Sequence, residues 1–263
     1  IITIIFQKNN MISNNKKKLI QQLTTKKQRD MQGRFIAEGI KLVGDLLRGG
    51  LKATYIVGYA EALKEINAEK WCRDIADCNE AEMKGISQLK TPSPILAIFE
   101  KPASAEIDDC PQDLTLILDE IQDPGNMGTI IRVADWFGIR KIVCSKTCAD
   151  IYNPKVIQAT MGAIARVRVI ETDLECFLEY NATHWHIPVY GTFLEGSNIY
   201  TCQLQQRAFI IMGNEGKGIN DKLTKYVSDK LFIPNFPADE ITSESLNVAT
   251  ATAITVSEFR RPR

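Results

Sequence analysis

Residues 119–138 read DEIQDPGNMGTIIRVADWFG, and they close an apolar run, LTLIL at 114–118, with the length and bounding residues of a buried strand. The chain then turns at Asp123-Pro124-Gly125-Asn126, where proline fixes one dihedral and Gly and Asn admit unusual ones. A helix is predicted next, with Met127, Ile130, Ile131, Ala134 and Phe137 as its apolar stripe and Gly138 as its stop. Arg132 falls off that stripe, on the side of Gly128 and Asp135. A strand end, a tight polar turn and a solvent-side arginine thus converge, and in an α/β sheet ligands sit at such a place. Taken alone, the stretch also fits an ordinary strand-turn-helix with a surface arginine.

Further along, strands are expected at Lys141–Cys144, Val167–Ile170, Pro188–Thr192, Ala208–Met212 and Leu231–Pro234, and a helix at Leu174–Tyr180. The strand ending at Met212 runs into Gly213-Asn-Glu-Gly-Lys-Gly218. This loop is neither a phosphate-binding G-x-x-x-x-G-K-[ST] loop nor a G-x-G-x-x-G dinucleotide fingerprint. Its glycines permit close backbone approach because no Cβ intervenes. The final helix is expected to begin at Ser245, a good N-cap residue.

Taken in order, three segments resemble the motifs of the SpoU/TrmH RNA 2′-O-ribose methyltransferases, a branch of the SPOUT superfamily. Asn126 and Arg132 match the first motif, Glu215 in the 213–218 loop the second, and Ser245 and Asn247 the third. The resemblance implies an α/β catalytic domain with a SPOUT-type parallel sheet tied in a deep trefoil knot, and a homodimer with the active site at the catalytic-domain interface. It implies S-adenosyl-L-methionine as cofactor, held by Gly191, Thr192, Gly213, Asn214, Gly216, Gly218, Ile233 and Leu246, with no metal. Arg132, Asn126, Glu215, Ser245 and Asn247 are the implied catalytic set. The segment 153–163 also resembles the family, with Gln158 where relatives often carry arginine. Between Ile233 and Ser245 the chain is about four residues longer than the family pattern and lacks its glycine, so a reshaped loop over the cofactor is expected.

The chemistry implied, methyl transfer from a sulfonium to a ribose hydroxyl, requires alignment and disposal of one proton. An arginine, with a pKa above about 12, is a poor resting base. Arg132 is therefore expected to hold a phosphate beside the target ribose and stabilise the developing alkoxide. Asn126, Ser245 and Asn247 would orient the hydroxyl, and Glu215 would fix Arg132 or the cofactor side of the pocket.

The N-terminal part alternates short elements: a polar helix over 13–30, strands at Arg34–Ala37, Ala53–Val57 and Ile95–Phe99, and helices at Ile40–Leu47, Glu61–Lys70 and Asn79–Leu89. Arg34 to Lys41, RFIAEGIK, resembles the start of the substrate-binding domain preceding many TrmH-like domains, a relative of ribosomal proteins that grip RNA. The expected organisation is an extension at 1–10, an RNA-binding domain at 11–100, a Pro-containing linker at 101–112 and a catalytic domain at 113–263.

Net charge over the 263 residues is zero, yet eight basic residues stand against Asp30 and Glu38 between residues 11 and 41. Lys16, Lys17, Lys18, Lys26, Lys27, Arg29 and Arg34 are the expected RNA contacts, with a solvated helix face as the alternative. Seven cysteines without C-x-x-C favour reduced thiols and a cytoplasmic setting, and no apolar run nears the ~20 residues of a membrane span. The function expected is S-adenosylmethionine-dependent ribose methylation, of ribosomal rather than transfer RNA. The alternative is a non-catalytic RNA-binding or ribosome-assembly protein of the same fold.

Overall fold

The computed structural model describes residues 12–103, 110–237 and 243–262; the expected 1–10 extension, half of the expected linker and part of the loop expected to be reshaped before Ser245 lie outside them. Two compact units result. The first holds residues 12–103 and Tyr152–Ala165, and the second holds the rest.

The first unit is built on a four-stranded sheet of β1 (Arg34–Glu38), β2 (Ala53–Gly58), β3 (Ile75–Asp77) and β4 (Ile95–Glu100), in the order β1-β4-β2-β3. β4 runs antiparallel to both neighbours, with Ile36 opposite Ile98, and β3 joins β2 in parallel. Ile20, Leu23, Ile36, Val57, Met83, Leu96 and Ile98 form its core. The helix expected over 13–30 is two helices, Asn14–Gln22 and Lys26–Gln32. They part where the Thr24 and Thr25 hydroxyls donate to Gln21 O at 2.7 Å and Gln22 O at 3.2 Å, local bonds that compete with continued helix. Likewise 61–70 divides at Asn67, whose φ of 52° ends one helix and starts the next. Tyr152–Ala165 packs in this unit, with the Tyr152 ring 4.9 Å from that of Phe35.

The second unit is a seven-stranded sheet: β5 (Thr115–Leu118), β6 (Lys141–Ser145), β7 (Arg168–Thr172), β8 (Val189–Phe193), β9 (Ser197–Asn198), β10 (Phe209–Met212) and β11 (Asp229–Phe232). The order is β7-β6-β5-β10-β8-β11-β9, and every neighbouring pair is parallel. All residues of β5 and β10 are buried, as unbroken apolar runs covered on both faces should be. The two-residue β9 carries no sequence signal. Helix Pro124–Trp136 follows β5, with the Asp123 carboxylate accepting the Asn126 N–H at 2.8 Å and proline in its first turn. The last helix, Val248–Arg260, packs against it, and Arg260 Nε donates to Phe137 O at 3.2 Å. No helix among the described residues is long and apolar enough to cross a membrane.

Candidate active site

β5 and β10 are adjacent and parallel, so the loops at their carboxyl ends leave the sheet side by side. The chain steps outward from β5 through β6 to β7 on one side, and β10, β8 and β11 lie on the other. A crevice at such a reversal is where open parallel sheets bind ligands.

Asn126, in the first turn of the helix after β5, is the hub of the polar groups gathered there. Its Nδ2 donates to Glu215 Oε1 at 2.9 Å, and its Oδ1 accepts from Asn247 Nδ2 at 2.9 Å. Residues from all three polar segments are thereby joined in one chain of hydrogen bonds. Asn247 also begins the last helix, its Oδ1 accepting the N–H groups of Ala249 at 3.0 Å and Thr250 at 3.3 Å. The cap expected at Ser245 thus falls two residues later, because asparagine reaches those N–H groups equally well. Ser245 and Leu246 are exposed.

Arg132 is exposed and makes no side-chain hydrogen bond or ion pair among the described residues. Glu215 is bonded to Asn126, not to Arg132. One turn on from Arg132, Asp135 is occupied by Arg166 at 2.7 Å and Arg140 at 3.2 Å, which keeps that carboxylate from Arg132.

The turn after β10 is folded upon itself. Asn214 and Gly218 exchange two backbone bonds of 2.9 Å, and Asn214 Oδ1 accepts the N–H groups of Gly216 and Lys217 at 2.9 and 3.0 Å. A Cβ on Gly213 would lie 2.6 Å from Gly218 O and closer still to the Gly218 carbonyl carbon and Ile219 N. That glycine is needed by the turn's own backbone rather than by a ligand. Gly216 is different: it is exposed, and a Cβ there would meet nothing nearer than 3.7 Å. Gly218 is exposed with nothing within 4 Å of a Cβ, but its φ of 72° makes glycine the turn's requirement there too. On β8, a Cβ at Gly191 would come 2.6 Å from the end of the Phe193 ring, and Thr192 Oγ1 donates to Ile211 O at 3.3 Å. Ile233, just past β11, is half-buried, and Leu194, just past β8, is 71% exposed. Leu194 was not among the expected residues; an apolar residue after a strand has no distinguishing sequence mark. A cavity of about 370 Å³ in this unit, bordered by Val189, Tyr226 and Ser228, opens at the opposite end of the strands, away from these groups.

The expected RNA contacts of the first unit are thinned by the fold. Arg29 is 2% exposed, and its Nη1 donates to Leu23 O at 2.9 Å and Thr24 O at 2.7 Å, closing the end of the preceding helix. It is a structural arginine, and the expectation that it meets RNA is corrected. Lys16 pairs with Asp74, Lys17 with Glu82 at 4.0 Å and Lys26 with Asp30 at 3.2 Å. Lys18 and Lys27 are exposed, Arg34 is half-buried, and all three lack a side-chain partner among the described residues.

A parallel sheet with three polar segments joined at its strand ends defines an α/β protein whose site is assembled from distant parts of the sequence. The family follows from comparison: residues 113–257 match the SpoU rRNA Methylase family and residues 14–97 an MRM3-like substrate binding domain. The chain belongs to the SpoU rRNA Methylase family. It is 30% identical over 254 residues to the 23S rRNA (guanosine(2553)-2′-O)-methyltransferase RlmP of Bacillus subtilis, covering 94% of this chain and 96% of that one. It is 32% identical over 169 residues to the mitochondrial rRNA methyltransferase 3 of Mus musculus, matching 61% of this chain but spanning only 39% of that longer protein. The AdoMet-bound rRNA methyltransferase of Sinorhizobium meliloti superposes with a TM-score of 0.83 at 30% identity, over 94% of each chain.

Proposed function

We propose that this protein transfers a methyl group from S-adenosyl-L-methionine to a ribose 2′-hydroxyl of ribosomal RNA. The observation that carries this reading is the Glu215–Asn126–Asn247 chain of hydrogen bonds, which links the three family motifs at the carboxyl ends of β5 and β10. The names of the relatives, an enzyme of 23S rRNA and an AdoMet-bound rRNA methyltransferase, support the substrate and the cofactor.

The residues present suit the cofactor. The backbone of Gly216 and Gly218 is open to approach, and Leu194 just past β8, Ile233 just past β11 and Leu246 before the last helix leave apolar side chains wholly or partly exposed. When bound, the cofactor supplies a methyl on a cationic sulfur. Asn126, fixed by its two neighbours, orients the hydroxyl, and Ser245 lies two residues before Asn247 to assist. Arg132 holds the adjacent phosphate and stabilises the oxygen as its proton leaves to water.

The same reading includes a trefoil knot in the second unit, for which the out-of-sequence order β5-β10-β8-β11 is the support, and a first unit related to RNA-gripping ribosomal proteins. It places an RNA-binding domain at 11–100, a catalytic domain at 113–263 and the protein in the cytoplasm. It also includes a homodimer through the catalytic portion, which would cover Trp136, 85% exposed on the first-motif helix.

Ribose-methylation mapping of ribosomal RNA, with calorimetric titration of S-adenosylmethionine, tests the proposal. The wild type is expected to bind the cofactor and methylate a defined ribose; Arg132→Lys is expected to bind it but lose at least about tenfold in turnover, since lysine lacks the planar fork. Absence of both binding heat and ribose methylation in the wild type would leave the non-catalytic RNA-binding reading.

A further inference from the structure

Two bonds that the methyl-transfer reading leaves unused fasten the glycine turn to the neighbouring strand. Asp119, at the end of β5 and 4% exposed, accepts the backbone N–H of Asn220 on Oδ2 at 2.8 Å. One residue on, the Glu120 carbonyl accepts Asn214 Nδ2 at 2.8 Å. Glu120 is itself pinned: its N–H donates to Ser145 Oγ at 2.9 Å, and its φ of 54° is one that few residues other than glycine adopt. The turn is therefore held at residue 214 and again at residue 220, and everything exposed between those anchors, Glu215 to Gly218, hangs from them.

We propose that Asp119 and Asn214 are positioning residues that set the glycine turn against the first-motif loop, so that Glu215 reaches Asn126 and the Gly216–Gly218 backbone faces the cofactor. The inference rests on the methyltransferase reading above. A buried carboxylate accepting a backbone N–H makes a stronger bond than two neutral groups would, and burial, which raises the Asp119 pKa, is opposed by that N–H. Asn214 differs from its expected role: its side chain is spent within the protein, with Nδ2 on Glu120 and Oδ1 on Gly216 and Lys217.

Three variants of the full chain test this, with the dissociation constant for S-adenosylmethionine measured calorimetrically and kinetics on ribosomal RNA. Asp119→Ala is expected to weaken the cofactor about tenfold, and Asp119→Asn, whose carbonyl oxygen still accepts from Asn220, to recover to within about threefold of wild type. Asn214→Asp keeps the acceptor for Gly216 and Lys217 but loses the donor to Glu120, and is expected to weaken the cofactor about tenfold as well. It stands in should Asp119→Ala not fold. A merely structural role would lower the folded fraction and leave the affinity of folded protein unchanged. Affinities within twofold of wild type for Asp119→Ala or Asn214→Asp, or an Asp119→Asn no better than Asp119→Ala, overturn the inference while the methyltransferase reading stands. A wild type that binds no cofactor removes both.

Discussion

Asn247 donates its side-chain amide to the side-chain oxygen of Asn126 at 2.9 Å, joining a residue that begins the last helix to one in the first turn of the helix after β5. Because Asn126 must donate to Glu215 as well as accept from Asn247, only a side chain with both capacities serves there. Asn126→Asp sets a carboxylate against Glu215 and is expected to cut kcat/KM about hundredfold, ~2.7 kcal/mol, by loss of a bond and repulsion in its place. Steady-state methylation assays check this; activity within threefold of wild type would show that the hydrogen-bonded chain is incidental to the chemistry.

Gly213 and Gly216 lie three residues apart in one turn, and their substitution should have opposite outcomes. Alanine at 213 places a methyl against the Gly218–Ile219 backbone, which cannot swing aside, and is expected to cost about 1–3 kcal/mol. Alanine at 216 meets only Asn214 Oδ1, at an ordinary contact of 3.7 Å, and should leave stability unchanged while hindering cofactor approach. Urea denaturation midpoints of the two variants settle the first expectation, and cofactor titration settles the second.

The buried Arg29 makes a prediction about RNA by exclusion. Arg29→Met strands the carbonyls of Leu23 and Thr24 and is expected to cost about 2–3 kcal/mol of stability with no change in the salt dependence of RNA binding. Lys18→Gln and Lys27→Gln should each leave stability alone and flatten the plot of log affinity against log salt by about 0.7–0.9. Filter binding across a salt series distinguishes the two kinds of basic residue.

Burial raises the carboxyl pKa of Glu38 above its usual 4.5, opposed by bonds from Ser87 Oγ at 2.6 Å and Gln88 N–H at 2.7 Å. With the folded pKa above the unfolded one, the folded state holds its proton more tightly, so this group's contribution falls as pH rises from 4.5 through the raised value. Glu38→Gln lacks that loss. The melting temperature of the variant relative to wild type is expected to climb in that window and to stay level below it. A difference independent of pH would mean the carboxylate is not desolvated in solution.

Much of the second unit was legible because its signals are local: LTLIL and FIIM are continuous apolar runs, and the Asp123-Pro124 helix start follows directly from capping chemistry. The membership of Asn126, Glu215 and Asn247 in one group was reachable only through resemblance, since nothing within any one segment reveals a partner so distant in sequence. The anchors at Asp119 and Asn220 went unseen for the same reason; a strand-terminal aspartate looks like any other. Arg29 misled because charge is visible in a sequence and burial is not. Thr24 and Thr25 do carry a signal, two hydroxyls able to divert the helix, that the helical period concealed.

Asn247 serves the last helix with its oxygen and Asn126 with its nitrogen, so docking of that helix and completion of the site are one event. A protein whose helix 248–260 is displaced keeps β5, β10 and the glycine turn in its sequence, yet Asn126 loses the amide that donates to it. On the reading above, whatever pulls that helix from its seat silences the methyl transfer as surely as a change at Asn126 itself.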